Sequence, residues 1–215
     1  MLTYLIFRLT ILRRGVIVAE ITRSYSKWRT IDLVYCGLFA TLMMVGANIT
    51  TIAPFLVVGG VPITLQTFFA VLAGLVLGSR NGAIACTVYM LVGLAGAPVF
   101  SKFMGGLSYI FIPTFGFVVS FILAAYVAGK IVESYKTDRS YIVAALVATA
   151  INYLIGTNWM YFAYMFWAGA PEGFSYKIAW AWMLPPMPKD IILAIFGGIL
   201  AYRLQKVLKI LPVKS

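Results

Sequence analysis

Six long apolar segments run through this chain, and they restrict it to folds that are found in a lipid bilayer. Hydrophobic residues make up 62% of its 215 residues and charged residues 11%, whereas soluble domains average about 45–50% and about 25%. A spanning helix needs about 20 apolar residues, so the shorter segments must gain length from flanking residues or tilt. The predicted segments are Leu33–Ile49, Thr64–Leu77, Gly82–Ala95, Thr114–Ile131, Tyr141–Trp167 and Ile191–Val207. We therefore predict an all-α integral membrane protein, in which residues 31–215 form a bundle of six transmembrane helices.

Three connections between these segments are long, apolar and rich in glycine and proline. They are Thr50–Ile63, Gly96–Pro113 and Ala168–Asp190. Irregular backbone is tolerated at membrane depth where it is buried in protein or lines a cavity. We therefore predict that the three connections lie at one end of the bundle and cap a ligand pocket, which makes residues 31–215 a substrate-binding domain.

Charge predicts the orientation of the bundle. The chain has 17 Lys and Arg residues and a formal net charge of +11, yet only Lys102, Lys177 and Lys189 fall on the side of the three long connections. Basic residues collect on the cytoplasmic side of membrane proteins. The pattern predicts a multi-pass protein of the cell membrane with both termini in the cytoplasm and the pocket open to the outside. Nucleic acid is not an expected partner, because the basic residues lie in short loops and at the chain ends, where they contact anionic lipid.

The first thirty residues differ from the rest. Their apolar stretch is interrupted by Arg8, Arg13 and Arg14, whereas a signal peptide has an unbroken apolar core. We predict an N-terminal extension, residues 1–30, that forms an amphipathic helix at the membrane surface. A start codon placed too far upstream is the alternative.

The sequence offers little for catalysis. It contains no histidine, no phosphate-binding G-x-x-x-x-G-K-[ST] loop and no cluster of metal ligands or nucleophile with its base. We therefore predict a binding protein rather than an enzyme, with no cofactor and no metal.

One acid-base pair, Lys189–Asp190, stands at the head of the sixth apolar segment. An ionisable pair facing hydrocarbon costs several kcal/mol unless it has a partner or water. The pair is therefore a candidate for binding a polar ligand. The alternative is structural, with Asp190 capping a helix and Lys189 reaching to the lipid headgroups.

Polar and glycine residues of the other long connections are further candidates. Gln66 and Thr67, at the entry of the second segment, can each donate and accept hydrogen bonds, although both also suit a plain helix start. Lys102 offers a cation to a carboxylate, and Gly105 and Gly106 let the backbone approach a ligand closely. A flexible turn is the alternative for this stretch.

Aromatic residues gather near the same face, and most of them suit the aromatic belt at the membrane surface. Tyr109 lies in the second long connection. Trp159 and Tyr161 are deeper in the fifth segment beside Asn152, so we expect them in the pocket.

Small residues in the first segment indicate a helix-packing strip. Cys36 and Ala40 form a small-x-x-x-small pair, and Gly37 lies beside them. Such a strip lets another helix approach closely, either within the bundle or from a partner.

In order and spacing these segments resemble the BioY family, the biotin-binding S components of energy-coupling factor transporters. The resemblance covers about Leu33 to Gln205. It is carried by the runs Val61-Pro62-Ile63-Thr64-Leu65-Gln66-Thr67 and Leu94-Ala95-Gly96-Ala97-Pro98-Val99-Phe100, and by Gly105-Gly106 followed by Pro113-Thr114. It implies a six-helix bundle with an outward pocket, to which Thr114 contributes. It also implies as partners a transmembrane coupling subunit, on which Cys36, Gly37 and Ala40 dock, and two ATPases that hydrolyse the ATP.

The chain departs from the family pattern at the sixth helix. The family has Gly-Asp-x-x-Lys, whereas here Lys189 replaces the glycine and Leu193 stands at the lysine position. Asp190 would accept the ureido N–H groups of biotin, and Lys189 or Lys102 would pair with its carboxylate. A related carboxylate vitamin such as lipoate, or a structural membrane protein without ligand, are the alternatives.

Overall fold

Six α-helices make up most of the described chain, which in this computed structural model comprises residues 29–52, 57–58, 61–62 and 64–208. Two short strands, β1 (Val57–Val58) and β2 (Val61–Pro62), pair antiparallel between the first two helices. Two 3-10 turns, Ser101–Phe103 and Leu107–Phe111, lie between the second and third helices. The helices are α1 (Thr30–Ile52), α2 (Gln66–Leu94), α3 (Phe115–Ser134), α4 (Asp138–Phe166), α5 (Tyr176–Ala181) and α6 (Pro186–Leu208).

Four of these helices are long and apolar enough to cross a membrane. They are α1, over Thr30–Ile49, and the whole of α2, α3 and α4. Large apolar side chains also cover their outer faces. Leu38 of α1, Leu154 of α4 and Ile192 of α6 are each more than half exposed. Apolar exteriors on long apolar helices identify the chain as an all-helical membrane protein.

Helix α2 consists of two arms that fold back on each other at Gly78. This glycine has a φ of +85° and a ψ of 176° inside an otherwise helical stretch, a conformation that only glycine adopts readily. A Cβ on Gly82 would lie 2.6 Å from the Cα of Gly74, so the two arms are in close antiparallel contact. The predicted segments Thr64–Leu77 and Gly82–Ala95 correspond to these two arms, and the break between them is at Gly78.

Side chains from two other helices satisfy the backbone groups that this break exposes. Glu133 at the end of α3 accepts hydrogen bonds from the Ser79 amide at 2.7 Å and the Ser79 hydroxyl at 2.9 Å. Gln205 of α6 donates to the Val76 carbonyl at 3.0 Å. Helix ends leave amide and carbonyl groups without partners, and buried ones are costly. Side chains of α3 and α6 therefore stabilise the turn on both sides of Gly78.

Alanines set the spacing of the helices in the core. Helix α2 packs along α3, α3 packs along α4, and α6 packs against α4 and α2. Ala124 and Ala128 of α3 and Ala144 and Ala148 of α4 are completely buried. Small residues let helix backbones approach closely, which is the main source of packing energy between helices in lipid.

The chain divides into two compact units, residues 1–33 and 34–215. In the first unit, the described residues show Arg29 paired with Asp32 at 3.1 Å at the start of α1. The predicted amphipathic helix falls mostly on residues 1–28, which lie outside the described residues, so it stays a prediction.

The sixth predicted segment begins five residues earlier than expected. Helix α6 starts at Pro186, because proline is well suited to the first turn of a helix, where its missing N–H is not needed. Lys189 and Asp190 therefore lie inside the helix. The fifth segment is also shifted, to Asp138–Phe166, since Thr137 and Ser140 form a capping box there. Helix α5, within the last long connection, was not predicted.

Candidate ligand-binding site

A cavity lies between the beginnings of α2, α3 and α6 and the middle of α4. The space in it that a water-sized molecule can enter is about 50 Å³, which is smaller than the about 300–1,000 Å³ of typical small-molecule sites, so a vitamin-sized ligand requires the walls to move apart. Polar residues from α2, α4 and α6 and from the connections before α2 and α3 meet apolar side chains there. The lining residues are Thr64, Gln66, Thr67, Ser101, Tyr109, Thr114, Phe117, Val118, Phe121, Asn152, Tyr153, Met183, Pro186, Lys189 and Asp190.

Asp190 is the buried acid of this cavity, with 7% of the residue exposed. The Tyr153 hydroxyl donates to its Oδ2 at 2.7 Å. The Lys189 ammonium lies 2.8 Å from its Oδ1 as an ion pair, but Oδ1 receives no hydrogen bond of good geometry from the described residues. The ion pair offsets the charge of Oδ1, and a carboxylate oxygen can accept more than one hydrogen bond. Oδ1 therefore has acceptor capacity for a ligand N–H.

The two structural explanations for the pair are contradicted by its position. Asp190 is the fifth residue of α6 rather than the residue that precedes the helix, so it does not cap it. The Lys189 side chain is 30% exposed, and its ammonium donates to the Thr64 carbonyl just before α2. Lys189 therefore turns toward the cavity and ties the beginnings of α6 and α2 together.

Gln66 is held in one orientation at the edge of the cavity. The Thr64 hydroxyl donates to its Oε1 at 3.1 Å, and its Nε2 donates to the hydroxyl of Tyr89. The side chain of Leu65, the residue before α2, does not cap the helix. The Thr64 hydroxyl accepts a hydrogen bond from the backbone N–H of Gln66 at 3.3 Å. The side-chain amide of Gln66 keeps one N–H donor and one acceptor lone pair that these contacts do not use, and both are available to a ligand.

Asn152 joins three helices at the cavity wall. Its Oδ1 accepts from the Thr67 hydroxyl of α2 at 3.3 Å. Its Nδ2 donates to the Ser120 hydroxyl at 2.6 Å and the Phe117 carbonyl at 3.2 Å, both in α3. Asn152 is 1% exposed. Because most of its hydrogen-bonding groups are occupied, Asn152 shapes the wall more than it offers groups to a ligand.

Tyr109 and Thr114 line the cavity from the connection before α3. The Tyr109 ring stacks on Phe100 with 4.1 Å between centroids and meets Phe115 edge-on. Burial raises the pKa of the Tyr109 phenol above its ordinary value, so the phenol stays neutral and can donate a hydrogen bond at physiological pH.

The cavity thus brings together seven of the predicted ligand-binding residues and not the other five. Those that line it are Gln66, Thr67, Tyr109, Thr114, Asn152, Lys189 and Asp190. Those that do not are Lys102, Gly105, Gly106, Trp159 and Tyr161. Lysine 189, rather than Lys102, is therefore the cation at the cavity.

Lys102 and the two glycines belong to the folded connection before α3. Lys102 is exposed and has a φ of +62°. Gly105 packs so tightly that a Cβ would lie 2.2 Å from the Ala97 carbonyl oxygen, and the Gly106 amide donates to the Gly93 carbonyl. Both glycines serve the fold of this connection: a larger residue at position 105 would collide with the backbone, and Gly106 has a φ of +94°, which favours glycine.

Trp159 and Tyr161 point to aromatic clusters beside the cavity. Trp159 packs edge-on against Phe115 and Trp167, and its buried Nε1 has no hydrogen-bond partner among the described residues. Tyr161 contacts Phe174 in the connection before α5. These rings pack against other aromatic side chains and do not line the cavity.

Tyr153 is the main residue that the sequence reasoning missed. Its signal was a stripe of polar and small residues in α4 at helical spacing, which the structure buries. The stripe consists of Thr149, Asn152, Tyr153, Gly156 and Thr157. Polar residues buried along one face of an apolar helix indicate a polar cavity or a hydrogen-bonded core.

The packing strip of α1 divides between the two predicted alternatives, packing within the bundle and contact with a partner. Cys36 and Ala40 are buried in the bundle at 3% and 2% exposure, and the Cys36 thiol donates to the Asn81 carbonyl at 3.4 Å. Gly37 is exposed with open space where a Cβ would stand, and Thr41, one turn further, is exposed too. Of the three residues predicted to dock, only Gly37 is available to a partner in this structure.

The family model for the BioY family matches residues 21–210 of this chain. The chain belongs to the BioY family. It is 46% identical over 177 residues to the putative biotin transporter BioYB of Bacillus subtilis, which covers 81% of this chain and 88% of that protein. It is 31% identical to the biotin transporter BioY of Thermotoga maritima, over 81% of this chain and 96% of that one.

A solved structure has the same fold. The crystal structure at 2.1 Å of the S-component for biotin from an ECF-type ABC transporter superimposes with a TM-score of 0.67. The match covers 81% of this chain and 90% of that one at 22% identity. This BioY chain therefore has an S-component fold, and its relatives are named as transporters.

Proposed function

We propose that this BioY chain is the substrate-binding S component of an energy-coupling factor transporter and that biotin is its ligand. The relatives at 46% and 31% identity are named as biotin transporters. The observation that carries the assignment is the buried Oδ1 of Asp190, which accepts no hydrogen bond of good geometry beside the ammonium of Lys189.

The chemistry of the cavity suits biotin. The ureido ring of biotin has two N–H donors, which a carboxylate such as Asp190 accepts strongly. Its carboxylate needs a cation, which Lys189 supplies. Its sulfur-containing ring needs apolar walls, and these come from Phe117, Phe121 and Met183. The acid Asp190, the cation Lys189 and the apolar wall together match a small molecule that has N–H donors, a carboxylate and an apolar ring.

We place six crossings in the membrane: α1, the two arms of α2, α3, α4 and α6. An even number of crossings returns the chain to the side on which it started, so both termini lie on the same side of the membrane. The distribution of Lys and Arg supports a cytoplasmic position for both. The cavity then opens to the outside of the cell membrane, where biotin is captured.

The chain captures biotin without transforming it. ATP hydrolysis belongs to two partner ATPases, and a transmembrane coupling subunit links them to this chain. The sequence has no phosphate-binding loop of its own. Within the described residues no group of three or more His, Cys, Asp or Glu could hold a metal ion.

The coupling subunit docks, in this proposal, on the exposed face of α1 around Gly37 and Thr41. Replacing Gly37 by leucine is expected to abolish co-purification with the coupling module and to leave biotin affinity unchanged, because Gly37 lies on the outer face. The matched control is Leu154→Trp, an equally bulky change on the exposed face of α4. Co-purification of Gly37→Leu at the wild-type level would move the docking face elsewhere.

Equilibrium binding of radiolabelled biotin to the detergent-purified chain tests the ligand. We expect saturable binding of one biotin per chain that unlabelled biotin displaces and unlabelled lipoate does not, because lipoate has a carboxylate but no ureido group. Displacement by lipoate at similar concentrations would assign the site to another carboxylate vitamin. Absence of binding together with no thermal shift for either vitamin would favour a structural membrane protein.

A further inference from the structure

Tyr89 lies outside the cavity but contacts both its wall and the connection that covers it. It belongs to the second arm of α2 and is completely buried. Its hydroxyl receives the hydrogen bond from Gln66, and the same hydroxyl lies 3.3 Å from the Val99 carbonyl. Its ring meets Phe100 edge-on at 5.6 Å. Tyr89 thus joins a cavity residue to residues 96–106, which we call the flap.

The directions of these hydrogen bonds are fixed by the Val99 carbonyl. A carbonyl only accepts, so the Tyr89 hydroxyl must give its one proton to Val99. The hydroxyl can then only accept from Gln66, which must present its NH2 group rather than its carbonyl oxygen. The Thr64 hydroxyl donates to the Oε1 of Gln66 at 3.1 Å, which agrees with this orientation. The position of the flap backbone therefore decides which face of the Gln66 amide points to the cavity.

The flap is also attached to α1. The Asn48 side chain accepts from the Phe103 amide at 2.7 Å and lies 3.5 Å from the Val99 carbonyl. The Ser101 hydroxyl, which lines the cavity, donates to the Ala47 carbonyl at 3.3 Å. Lys102 and Phe103 both have positive φ, at +62° and +55°. Such backbone is held only by its surroundings, so these hydrogen bonds keep the flap over the cavity.

We propose that Tyr89 is a positioning residue, which through its hydroxyl couples the orientation of the Gln66 amide to the closed position of the flap. The proposal rests on biotin as the ligand of the cavity. Without the hydroxyl, the Gln66 amide is free to turn over and the Val99 carbonyl keeps only the Asn48 side-chain NH2, at 3.5 Å, as a donor. The flap then opens more often, and a bound ligand leaves faster.

The first test is the dissociation rate of biotin from Tyr89→Phe, a variant that keeps the ring and its contact with Phe100. We expect dissociation about tenfold faster, with an association rate within about twofold of wild type. The control is Tyr141→Phe, which removes a hydroxyl from another buried tyrosine, one that lies at the start of α4 and does not line the cavity. Equal dissociation rates for Tyr89→Phe and wild type would overturn the proposal.

The second test asks whether Tyr89 acts through Gln66. In a Gln66→Leu background, removal of the Tyr89 hydroxyl should accelerate dissociation clearly less than it does in wild type, because only the contact with the Val99 carbonyl is then left to lose. A purely structural role of Tyr89 predicts the same acceleration in both backgrounds. Additive effects would therefore contradict the coupling.

The third test needs no ligand. Lys102 is the one trypsin site between Arg80 and Lys130 in the sequence, and it lies exposed on the flap. Cleavage at Lys102 in the ligand-free, detergent-purified chain should be faster for Tyr89→Phe than for wild type or Tyr141→Phe. Equal cleavage would overturn the attachment of the flap. If wild type does not bind biotin, the proposed function fails, and this arm alone decides whether Tyr89 holds the flap.

Discussion

Replacing Asp190 by asparagine is expected to weaken biotin binding about tenfold or more, because a hydrogen bond to a charged group contributes about 1.5–3 kcal/mol. The asparagine side chain has nearly the same shape. It lacks the charge that strengthens an N–H···O bond from a ureido group, and its NH2 would meet the ligand N–H groups when it points to the cavity. The measurement is equilibrium binding of radiolabelled biotin to the purified variant.

The matched control is Asp138→Asn, the same chemical change at an exposed carboxylate in the first turn of α4, where binding should not change. Tyr153→Phe is a second, milder variant. It removes the 2.7 Å hydrogen bond to Oδ2 of Asp190 but leaves the carboxylate in place, so a smaller loss is expected. Wild-type affinity in a folded Asp190→Asn protein would remove Asp190 from the site.

The helices could be predicted because apolar length is a strong signal in a membrane protein. The runs from Thr64 and from Gly82 were each too short for a full crossing, yet the structure contains both as the arms of α2. What the sequence did not reveal is that the helix is broken at a single residue, Gly78. The turn depends on Glu133 and Gln205, which lie far away in the sequence.

The faces of the helices could not be predicted equally well. Helix α1 is apolar on every side, so no periodic pattern separates the face of Cys36 and Ala40 from the face of Gly37. Packing decides it: Cys36 meets the carbonyl of Asn81 in α2, which leaves Gly37 outside. A small-x-x-x-small pair indicates close packing but does not tell which partner is packed against.

The charged residues of the site were predictable because ionisable side chains are rare in the apolar segments. Lys189–Asp190 was conspicuous because an acid-base pair is costly in lipid, and both residues line the cavity. Tyr153 was not conspicuous, since a tyrosine in an apolar helix suits the core, the cavity or the membrane surface alike. Lys102 has the right charge at a plausible place, but its positive φ turns the residue into the exposed tip of the flap.

Replacing Lys189 by methionine is expected to weaken binding of biotin about tenfold or more and binding of biotin methyl ester less than about threefold, because only biotin has a carboxylate to pair with the ammonium. Loss of Lys189 also leaves Asp190 without its cation and Thr64 without a donor. Those effects act on both ligands alike. The difference between the two ligands therefore isolates the contact of Lys189 with the ligand carboxylate.

Lys102→Met is the matched control, since it removes the same charge from the exposed flap while the cavity keeps Lys189. It should leave the affinities for biotin and for the ester as they are in wild type. An equal loss for both ligands in Lys189→Met would mean that Lys189 serves only to neutralise Asp190 and to hold α6 against the start of α2. A loss confined to biotin in Lys102→Met would instead assign the carboxylate to the flap, with the flap closing further over the bound vitamin than it does here.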